Sequence, residues 1–309
     1  MQRELGAYRA LAPGKVNLGL FVGPVRASDS RHELVSVMQS ISLADQLTLQ
    51  AAPVGVEGDE VLCPGVPGPA YDNLASAALR AFRAATGWAA PPLSLHIEKR
   101  IPVAAGLAGG SADAAATLRL ARHASGLGDD RLLLELAATL GADVPAQTAP
   151  GRWLARGAGE RLRELPAPGS FGLLLLPSTA GLSTAAVFAE ADRLELARQE
   201  RELDALEERL VAELADGAAL PADATLLHND LQGAAVTLRP ELADRLAEVL
   251  ELGASVAMVS GSGPTVVGLF AGERGGVEAA RLAAQKLHGR VPVAIVAEPV
   301  GGQFGTPWS

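Results

Sequence analysis

A loop of small residues that leads directly into an apolar helix constrains this sequence more than any other feature. Residues 101–113 read IPVAAGLAGGSAD, and the alanine-rich stretch 111–124 is apolar nearly all round. A helix without a polar face is buried, so this one is predicted to lie in a domain core. Because glycine permits positive φ and the first amides of a helix lack partners, the loop predicts a polyphosphate-binding site.

Ser111 lies near the start of this predicted helix, where its side chain can cap the helix or bind a Mg²⁺ carried by the phosphates. The alternative interpretation is that the small residues only permit close packing of the helix on a sheet. Two other phosphate-binding signatures are absent from the sequence. Gly14-Lys15 is followed by valine, and Gly157-x-Gly159 has a leucine where the third glycine would stand.

Composition narrows the class of protein. The chain has 309 residues, enough for two domains or one large one. Its formal charge of −9 argues against binding to nucleic acid or anionic membranes, because their phosphates would be repelled. One cysteine, Cys63, excludes an internal disulfide and a Cys-based zinc site. Residues 1–8 are charged and lack an apolar core, so we expect no signal peptide and a cytoplasmic protein.

Periodicity predicts the order of the elements. Residues 47–51 and 93–97 alternate apolar and polar side chains, which predicts two half-buried strands. Between them, Asn73 and Gly87 are typical of the two ends of a helix over 74–86. The stretch 149–169 predicts a strand pair or a domain joint. Further helices are predicted over 131–140, 190–216 (one long or two short), 240–252 and 277–287, and further strands over 171–176, 256–259, 265–270 and 293–296.

In the second half the predicted order is strand, helices, strand, strand, helix, strand. This order favours an antiparallel sheet with helices on one face, an α+β sandwich. The tail after Pro299 is expected to be loose.

Four ordered segments together carry a resemblance that none carries alone. The glycine loop is accompanied by Ala12-Pro13-Gly14-Lys15-Val16-Asn17, Leu140-Gly141-Ala142-Asp143-Val144-Pro145 and Ser260-Gly261-Ser262-Gly263-Pro264-Thr265. In this order they resemble the galactokinase, homoserine kinase, mevalonate kinase and phosphomevalonate kinase superfamily, the GHMP kinases. The likeness extends from Ala12 to about Val296. With Asn229-Asp230-Leu231-Gln232, it is greatest to the branch whose acceptor is a cytidine-diphosphate-linked alcohol of non-mevalonate isoprenoid synthesis.

The resemblance implies a two-domain α+β GHMP kinase fold. Residues 1–160 would form an N-terminal α/β nucleotide-binding and catalytic domain with a left-handed crossover. Residues 161–309 would form a C-terminal ferredoxin-like sandwich. The implied ligands are ATP, Mg²⁺ and the acceptor alcohol, with Mg²⁺ near Ser111, and a monomer or homodimer is expected.

The resemblance also assigns roles to residues. Asp143 matches the position of the catalytic base, and Lys15 the cation that stabilises the alkoxide and the developing phosphate charge. The implied ATP-binding residues are Pro102, Ala104, Ala105, Gly106, Leu107, Ala108, Gly109, Gly110, Ser111, Asn73 and Lys99. The implied acceptor-binding residues are Asn17, Arg31, His32, Thr184, Ser260, Gly261, Ser262 and Gly263. Asn73 and Lys99 are equally well interpreted as a helix cap and a surface charge.

Two segments depart from the family pattern. In the cytidine-recognition segment, Arg26-Ala27-Ser28-Asp29-Ser30-Arg31-His32, serine replaces a glycine and Arg31 replaces an aromatic residue. An arginine plane can stack on a base, so Arg31 is interpreted either as a stacking residue or as a solvated charge. In the phosphate loop, Ala104, Ala105 and Ala108 stand where glycine is common, and Ala112 where serine is common. Alanine suits the loop if φ is negative there.

Three hypotheses follow from the sequence. The first is a kinase that transfers the γ-phosphoryl group of ATP to the 2-hydroxyl of the cytidine-diphosphate-linked alcohol. The second keeps the kinase class but takes homoserine, a mevalonate-type alcohol or a sugar as acceptor, because segment 26–32 is altered. The third is a non-catalytic ligand-binding paralogue, against which the presence of both Lys15 and Asp143 argues.

Overall fold

Two long strands organise the first half of the chain in this computed structural model, which describes residues 6–66, 69, 72–272 and 276–309. β1 (Tyr8–Val25) and β2 (His32–Ala51) pair in antiparallel fashion from Tyr8↔Leu49 to Val25↔His32. This register places Lys15 opposite Ser40 and Asn17 opposite Met38, within the buried middle of the pair. Of the N-terminal segment for which no signal peptide is expected, residues 1–5 lie outside the described residues.

The other edge of β2 is shared by two strands, which makes a six-stranded sheet. β4 (Leu93–Glu98) pairs with the end of β2, and β5 (Arg152–Gly157) pairs with its beginning. β3 (Glu60–Leu62) lies parallel to β4, and β6 (Arg161–Leu165) pairs with β5. The strand pair predicted in 149–169 is therefore confirmed as β5–β6. A division after residue 160 would separate these two paired strands, since the sheet extends to Leu165.

Helices of the first half pack on one another and on this sheet. Asn73 accepts a hydrogen bond from the amide of Ala75 at the start of α1 (Leu74–Thr86), and Gly87 ends the helix at φ +66°, as predicted. The apolar helix α2 (Gly109–Ser125) is buried from Ala112 to Ala121. α3 (Asp130–Leu140) and α4 (Val144–Thr148) follow. In the described ranges, no helix combines the length and apolar character needed to cross a membrane.

A four-stranded antiparallel sheet forms the second half. It consists of β7 (Gly172–Leu176), β8 (Val256–Val259), β9 (Val266–Phe270) and β10 (Ile295–Ala297). The strands lie in the order β10-β7-β9-β8, which is fourth-first-third-second in chain order. This order, with helices between β7 and β8 and between β9 and β10, confirms the ferredoxin-like sandwich. The helices are α5 (Thr184–Arg193), α6 (Glu200–Leu214), α7 (Gln232–Leu238), α8 (Glu241–Glu251) and α9 (Gly276–Lys286).

The two halves are joined through β1 and α6. Four leucines of α6 share a core with residues of β1, β2 and the second sheet. The segment 228–230 forms a bridge to Leu20, whose amide donates to the carbonyl of His228 and whose carbonyl accepts from the amide of Asp230. The edge of β1 is thereby paired at Leu20, which links the two halves there.

One expectation is confirmed only in part and another is wrong. Within the predicted helical region 190–216, α6 confirms a helix, but the region begins earlier, because Ser183 caps a helix that starts at Thr184. The tail after Pro299 is docked rather than loose. Trp308 forms a bridge with Arg9, and the carbonyl of Gly305 accepts from the buried Arg119. Arg119 has no carboxylate partner in the described part of the chain, so the tail supplies the acceptor that this buried cation requires.

Candidate active site

A cavity of about 1050 Å³ opens between the two halves of the chain. Its volume is at the upper end of the range for ligand pockets, which leaves room for a nucleotide and a second molecule. The predicted residues that line it are Lys15, Asn17, Arg31, His32, Asn73, Lys99, Pro102, Ala104, Ala105, Gly106, Ala108, Gly109, Gly110, Asp143, Thr184, Gly261 and Ser262. Four predicted residues, all described, lie outside the lining: Leu107, Ser111, Ser260 and Gly263.

The phosphate loop runs from the end of β4 to the start of α2. Gly106 has φ +76°, and Ala104 and Ala108 also have positive φ, at +53° and +56°. The condition under which alanine suits this loop, a negative φ, is therefore not met at these two residues. The carbonyl of Leu107 accepts the amide of Lys15 at 3.0 Å, which fixes the loop to β1. Helix α2 begins at Gly109, so Ser111 is inside the first turn and the residue in the cap position is Ala108.

The strained cap leads to a stability prediction. We expect Ala108→Gly to raise the free energy of unfolding by about 1 kcal/mol, because glycine relieves the left-handed conformation and is a better cap than alanine. The matched variant Ala112→Gly, inside α2, should lower it by about 1 kcal/mol. Urea unfolding of both variants checks this, and a lower stability for Ala108→Gly would contradict it.

Lys15 and Asp143 come from distant segments and meet at the cavity. The Lys15 ammonium is 3.8 Å from the Asp143 carboxylate and donates to the side-chain oxygen of Asn17 at 2.7 Å. Asn17 in turn donates to the Ser36 hydroxyl at 2.7 Å, and that hydroxyl donates to the carbonyl of Gly19 at 2.8 Å. This buried relay fixes the lysine amine on β1, where the sequence predicted it.

Asp143 stands at the start of the short helix α4, where a carboxylate usually caps the helix. Its side chain makes no capping hydrogen bond within the described chain, and about a third of it is exposed. The carboxylate is therefore free to accept a proton from a bound alcohol, with the Lys15 cation beside it. The geometry permits the acid–base chemistry that was predicted for this pair.

The late glycine-rich turn is interlocked with the phosphate loop. The Ser260 hydroxyl donates to the carbonyl of Gly106 at 3.1 Å, and a Cβ added at Gly106 would lie 2.4 Å from the carbonyl oxygen of Ser260. Asn229 holds the same turn by donating to the carbonyls of Val259 and Gly261, both at 2.7 Å. Ser260 thus supports the site from the interior, while Gly261 and Ser262 face the cavity.

The far end of the cavity is formed by the tip of the β1–β2 hairpin and by α5. His32 is buried, with Nδ1 2.9 Å from the carbonyl of Gly23 and Nε2 3.2 Å from the Asp192 carboxylate. Its ring stacks on Phe188 at a centroid distance of 5.2 Å. The hydroxyls of Thr184 and Ser262 are 2.8 Å apart, joining α5 to the late turn.

Sequence reasoning missed Phe188 and Asp192 because it began the helix too late. Thr184, Phe188 and Asp192 are spaced four residues apart, which places them on one face of a helix. That face lines the cavity. If Ser183 is read as the helix cap, the sequence places the Phe188 ring and the Asp192 carboxylate on the same helix face as Thr184.

Lys99 and Asn73 lie at the end of the cavity next to the phosphate loop. Lys99 is not a surface charge: it pairs with the buried carboxylates of Asp45 and Asp113, at 2.8 Å from the latter. Asp45 also accepts the amides of Arg100 and Ile101, at 2.5 and 2.8 Å, just before the loop. Asn73 caps α1 and lines the cavity as well.

Asp113 is the carboxyl group of this cluster whose ionised form is disfavoured. Burial, together with the neighbouring Asp45, raises the pKa of Asp113 to about 7 despite the Lys99 cation. Its Oδ1 is buried without a hydrogen-bond partner among the described residues. Burial opposes the charge of Lys99 too, but the two carboxylates raise its pKa above the ordinary value. The triad therefore holds the ammonium charged while Asp113 exchanges a proton near neutral pH.

This raised pKa predicts how stability depends on pH. The folded chain holds a proton on Asp113 that the unfolded chain releases above about pH 4, so raising the pH from 4 to 7 costs stability. We expect Asp113→Asn to remove this contribution, which is at most about 1.4 kcal/mol per pH unit, and to be more stable than the parent at pH 8. Urea unfolding at several pH values gives the difference. Equal pH slopes for the two proteins would contradict the prediction.

Lys99→Met serves as the companion variant. Without the ammonium, the same carboxylates repel one another, so the loss of stability should extend to higher pH than in the parent. An unchanged profile for Lys99→Met would show that the triad does not control this transition.

The expected metal ion, Mg²⁺, binds oxygen ligands. Across the described ranges, no three His, Cys, Asp or Glu side chains are grouped to hold a metal ion. Mg²⁺ commonly binds through one or two carboxylates and the phosphates of its substrate, keeping several waters. Such a Mg²⁺ would arrive with the nucleotide, bound to its phosphates and to water. The role of Ser111 as a ligand stays a prediction.

Comparisons with known proteins agree with this geometry. The family model described as GHMP kinases N terminal domain matches residues 73–151, and that described as GHMP kinases C terminal matches residues 203–287. The chain is 42% identical over 268 residues to the 4-diphosphocytidyl-2-C-methyl-D-erythritol kinase of Corynebacterium efficiens, covering 83% of each chain. It is 44% identical to the enzyme of the same name from Thermobifida fusca, covering 82% of this chain and 83% of that one.

A solved structure extends the likeness to the fold. It is a 4-(cytidine 5'-diphospho)-2C-methyl-D-erythritol kinase with a TM-score of 0.74 and 32% identity, covering 95% of this chain and 99% of the other. The family models match parts of both halves of the chain, and these relatives are similar to it over most of its length. The chain belongs to the GHMP kinases, in the 4-diphosphocytidyl-2-C-methyl-D-erythritol kinase family.

Proposed function

We propose that this chain transfers the γ-phosphoryl group of ATP to the 2-hydroxyl of 4-diphosphocytidyl-2-C-methyl-D-erythritol, a step of non-mevalonate isoprenoid precursor synthesis. The observation that carries the chemistry is the 3.8 Å pair of Lys15 and Asp143 at a cavity that the phosphate loop also lines. The proposed acceptor is the one stated in the names of the relatives.

Some residues of the site position the substrates, and others accept the proton or stabilise the developing charge. The amides at the start of α2 and the loop before it receive the phosphates of Mg²⁺·ATP. Asp143 accepts the proton of the acceptor hydroxyl as that oxygen attacks the γ-phosphorus, and ADP leaves with the electron pair of the broken bond. Lys15, held by Asn17, stabilises the alkoxide and the phosphate charge.

The acceptor would extend from Asp143 toward His32. The ring of Phe188 and the buried His32 offer an aromatic face and a ring nitrogen at that end of the cavity. Both suit a nucleobase, which needs stacking and polar contacts at its edge. We further infer a cytoplasmic enzyme that acts as a monomer or homodimer.

The test is ADP release from Mg²⁺·ATP in a coupled assay with purified 4-diphosphocytidyl-2-C-methyl-D-erythritol. Homoserine, mevalonate and galactose serve as competing acceptors in the same assay. Turnover with the cytidyl substrate at a kcat/KM at least 100-fold above the others supports the proposal. Absence of turnover with it, or higher kcat/KM for another alcohol, would remove this acceptor.

A further inference from the structure

Arg31 differs from the other two long-chain cations of the cavity wall in having no counter-ion. Lys15 is paired with Asp143, and Lys99 with two carboxylates. Arg31 lines the same cavity, yet no carboxylate of the described chain lies within ion-pair distance of its guanidinium. One of its terminal nitrogens donates to the neutral carbonyl of Ala158 at 2.9 Å. Its positive charge is therefore available to a ligand.

The neighbouring carboxylates are occupied by other groups. Asp29 accepts two guanidinium nitrogens of Arg26, one of them at 3.1 Å, and also the backbone amide of Arg31 at 3.2 Å. Glu160 accepts Arg26 at 2.5 Å and the amide of Ala158 at 2.7 Å. The hydrogen bond from Arg26, with smaller contributions from the amide and the charge of Arg31, lowers the pKa of Asp29 below its ordinary value. Both neighbouring carboxylates are thus held by Arg26, and neither lies within ion-pair distance of the Arg31 guanidinium in the described chain.

Arg31 is also held between the two ends of the acceptor site. It directly precedes His32, and its anchor Ala158 directly precedes Gly159 on the β5–β6 turn. A Cβ added at Gly159 would lie 3.3 Å from the carbonyl of Ala142, next to Asp143. A substrate that extends from the Asp143 carboxylate to the His32–Phe188 rings therefore passes this guanidinium. The guanidinium would then lie between the alcohol and the nucleobase of that substrate.

We propose that Arg31 binds the diphosphate of the acceptor substrate and selects it by charge rather than by stacking on its base. This inference rests on the proposed function, because a diphosphate is the part of that substrate that links its alcohol to its nucleoside. A guanidinium that already donates from one nitrogen to a carbonyl can donate its remaining N–H groups to phosphate oxygens. Asp143, Asp192 and a net charge of −9 repel an anionic acceptor, and Arg31 offsets that repulsion locally.

Three substitutions separate charge from stacking: Arg31→Lys keeps the charge, Arg31→Tyr keeps a flat stacking surface, and Arg31→Met keeps neither. For Arg31→Met and Arg31→Tyr we expect the KM of the cytidyl substrate to rise about tenfold or more, with kcat within threefold and the KM of ATP unchanged. Arg31→Lys should recover most of the loss. Raising the salt concentration should raise the parent's KM for this substrate and leave that of Arg31→Met almost constant.

Arg161→Met is the matched control, because it removes the same charge from the β5–β6 region at an exposed side chain that pairs with Glu33. It should leave the KM and its salt dependence unchanged. If Arg31→Tyr restores binding better than Arg31→Lys, or if Arg31→Met keeps the parent's salt dependence, the inference is overturned.

Calorimetric binding of CDP and CMP tests the same idea without turnover. The parent should prefer CDP by about tenfold, and Arg31→Met should lose that preference. Because binding does not require phosphoryl transfer, this measurement decides the role of Arg31 even if the proposed reaction fails. Equal CDP preference in the parent and Arg31→Met would contradict charge recognition.

Discussion

Asp143→Asn will lower kcat by about 10³-fold, with the KM of ATP changed less than threefold. Asparagine keeps the size and hydrogen-bonding shape of the side chain but cannot accept the proton of the alcohol. Because Asp143 makes no capping hydrogen bond within the described residues, the substitution should leave α4 and the fold intact. Single-turnover kinetics with saturating Mg²⁺·ATP measures the chemical step directly. The shorter variant Asp143→Ala should lose rate in the same way with binding largely kept.

A double variant tests whether Asp143 and its cation act as a unit. Lys15→Met alone should also lower kcat by about 10²-fold or more, since it removes the charge opposite the developing phosphate charge. The double variant Lys15→Met/Asp143→Asn should then be little slower than the slower single variant. Near-normal kcat in Asp143→Asn would refute the base, and fully multiplied effects would show independent roles.

The sequence could predict the elements whose signals are local. Asn73 and Gly87 mark the ends of α1 because capping and left-handed conformation depend on one or two residues. The small-residue loop and α2 were predicted together for the same reason. The succession of elements in the second half and its antiparallel sheet followed from the periodicities, whereas the ferredoxin-like arrangement of the strands was implied by the family resemblance.

Other parts of the site depend on contacts that no local pattern reveals. Asp45 stands within β2 and gives no sequence sign that it will neutralise Lys99, 54 residues away. Lys15 and Asp143 could be paired only through the family resemblance, because β1 and α4 meet by tertiary packing. The docked tail was missed because its stabilisation comes from partners such as Arg9 and Arg119 rather than from its own composition.

The phosphate loop shows how a local rule can fail at a functional position. Alanine at positive φ is strained by about 1 kcal/mol, so the rule favours negative φ at Ala104 and Ala108. The surrounding contacts override it: Leu107 is fixed to Lys15, and Gly106 to the late turn. The backbone path of the loop is therefore set by the two loops fitting together rather than by the preferences of its residues.

Gly106→Ala will place a methyl group against the backbone of the late turn, where the site has no room for it. Its Cβ would lie 2.4 Å from the carbonyl oxygen of Ser260 and 2.8 Å from that of Gly263, at a residue with φ +76°. The left-handed conformation costs about 1 kcal/mol and the overlap with two backbone oxygens about 1–3 kcal/mol more. We expect a total loss of about 3 kcal/mol in the free energy of unfolding and a fall in kcat/KM beyond the loss of folded protein.

Gly87→Ala is the control that isolates the overlap from the backbone conformation. Gly87 has φ +66°, and a Cβ there would meet no atom within 4 Å of the described structure. It should therefore lose only about 1 kcal/mol and keep full activity. Urea unfolding and steady-state kinetics of both variants, measured where each is folded, give the comparison. Equal losses for the two would mean that the phosphate loop and the late turn are not interlocked, and the nucleotide end of the site would then have to be held by α2 alone.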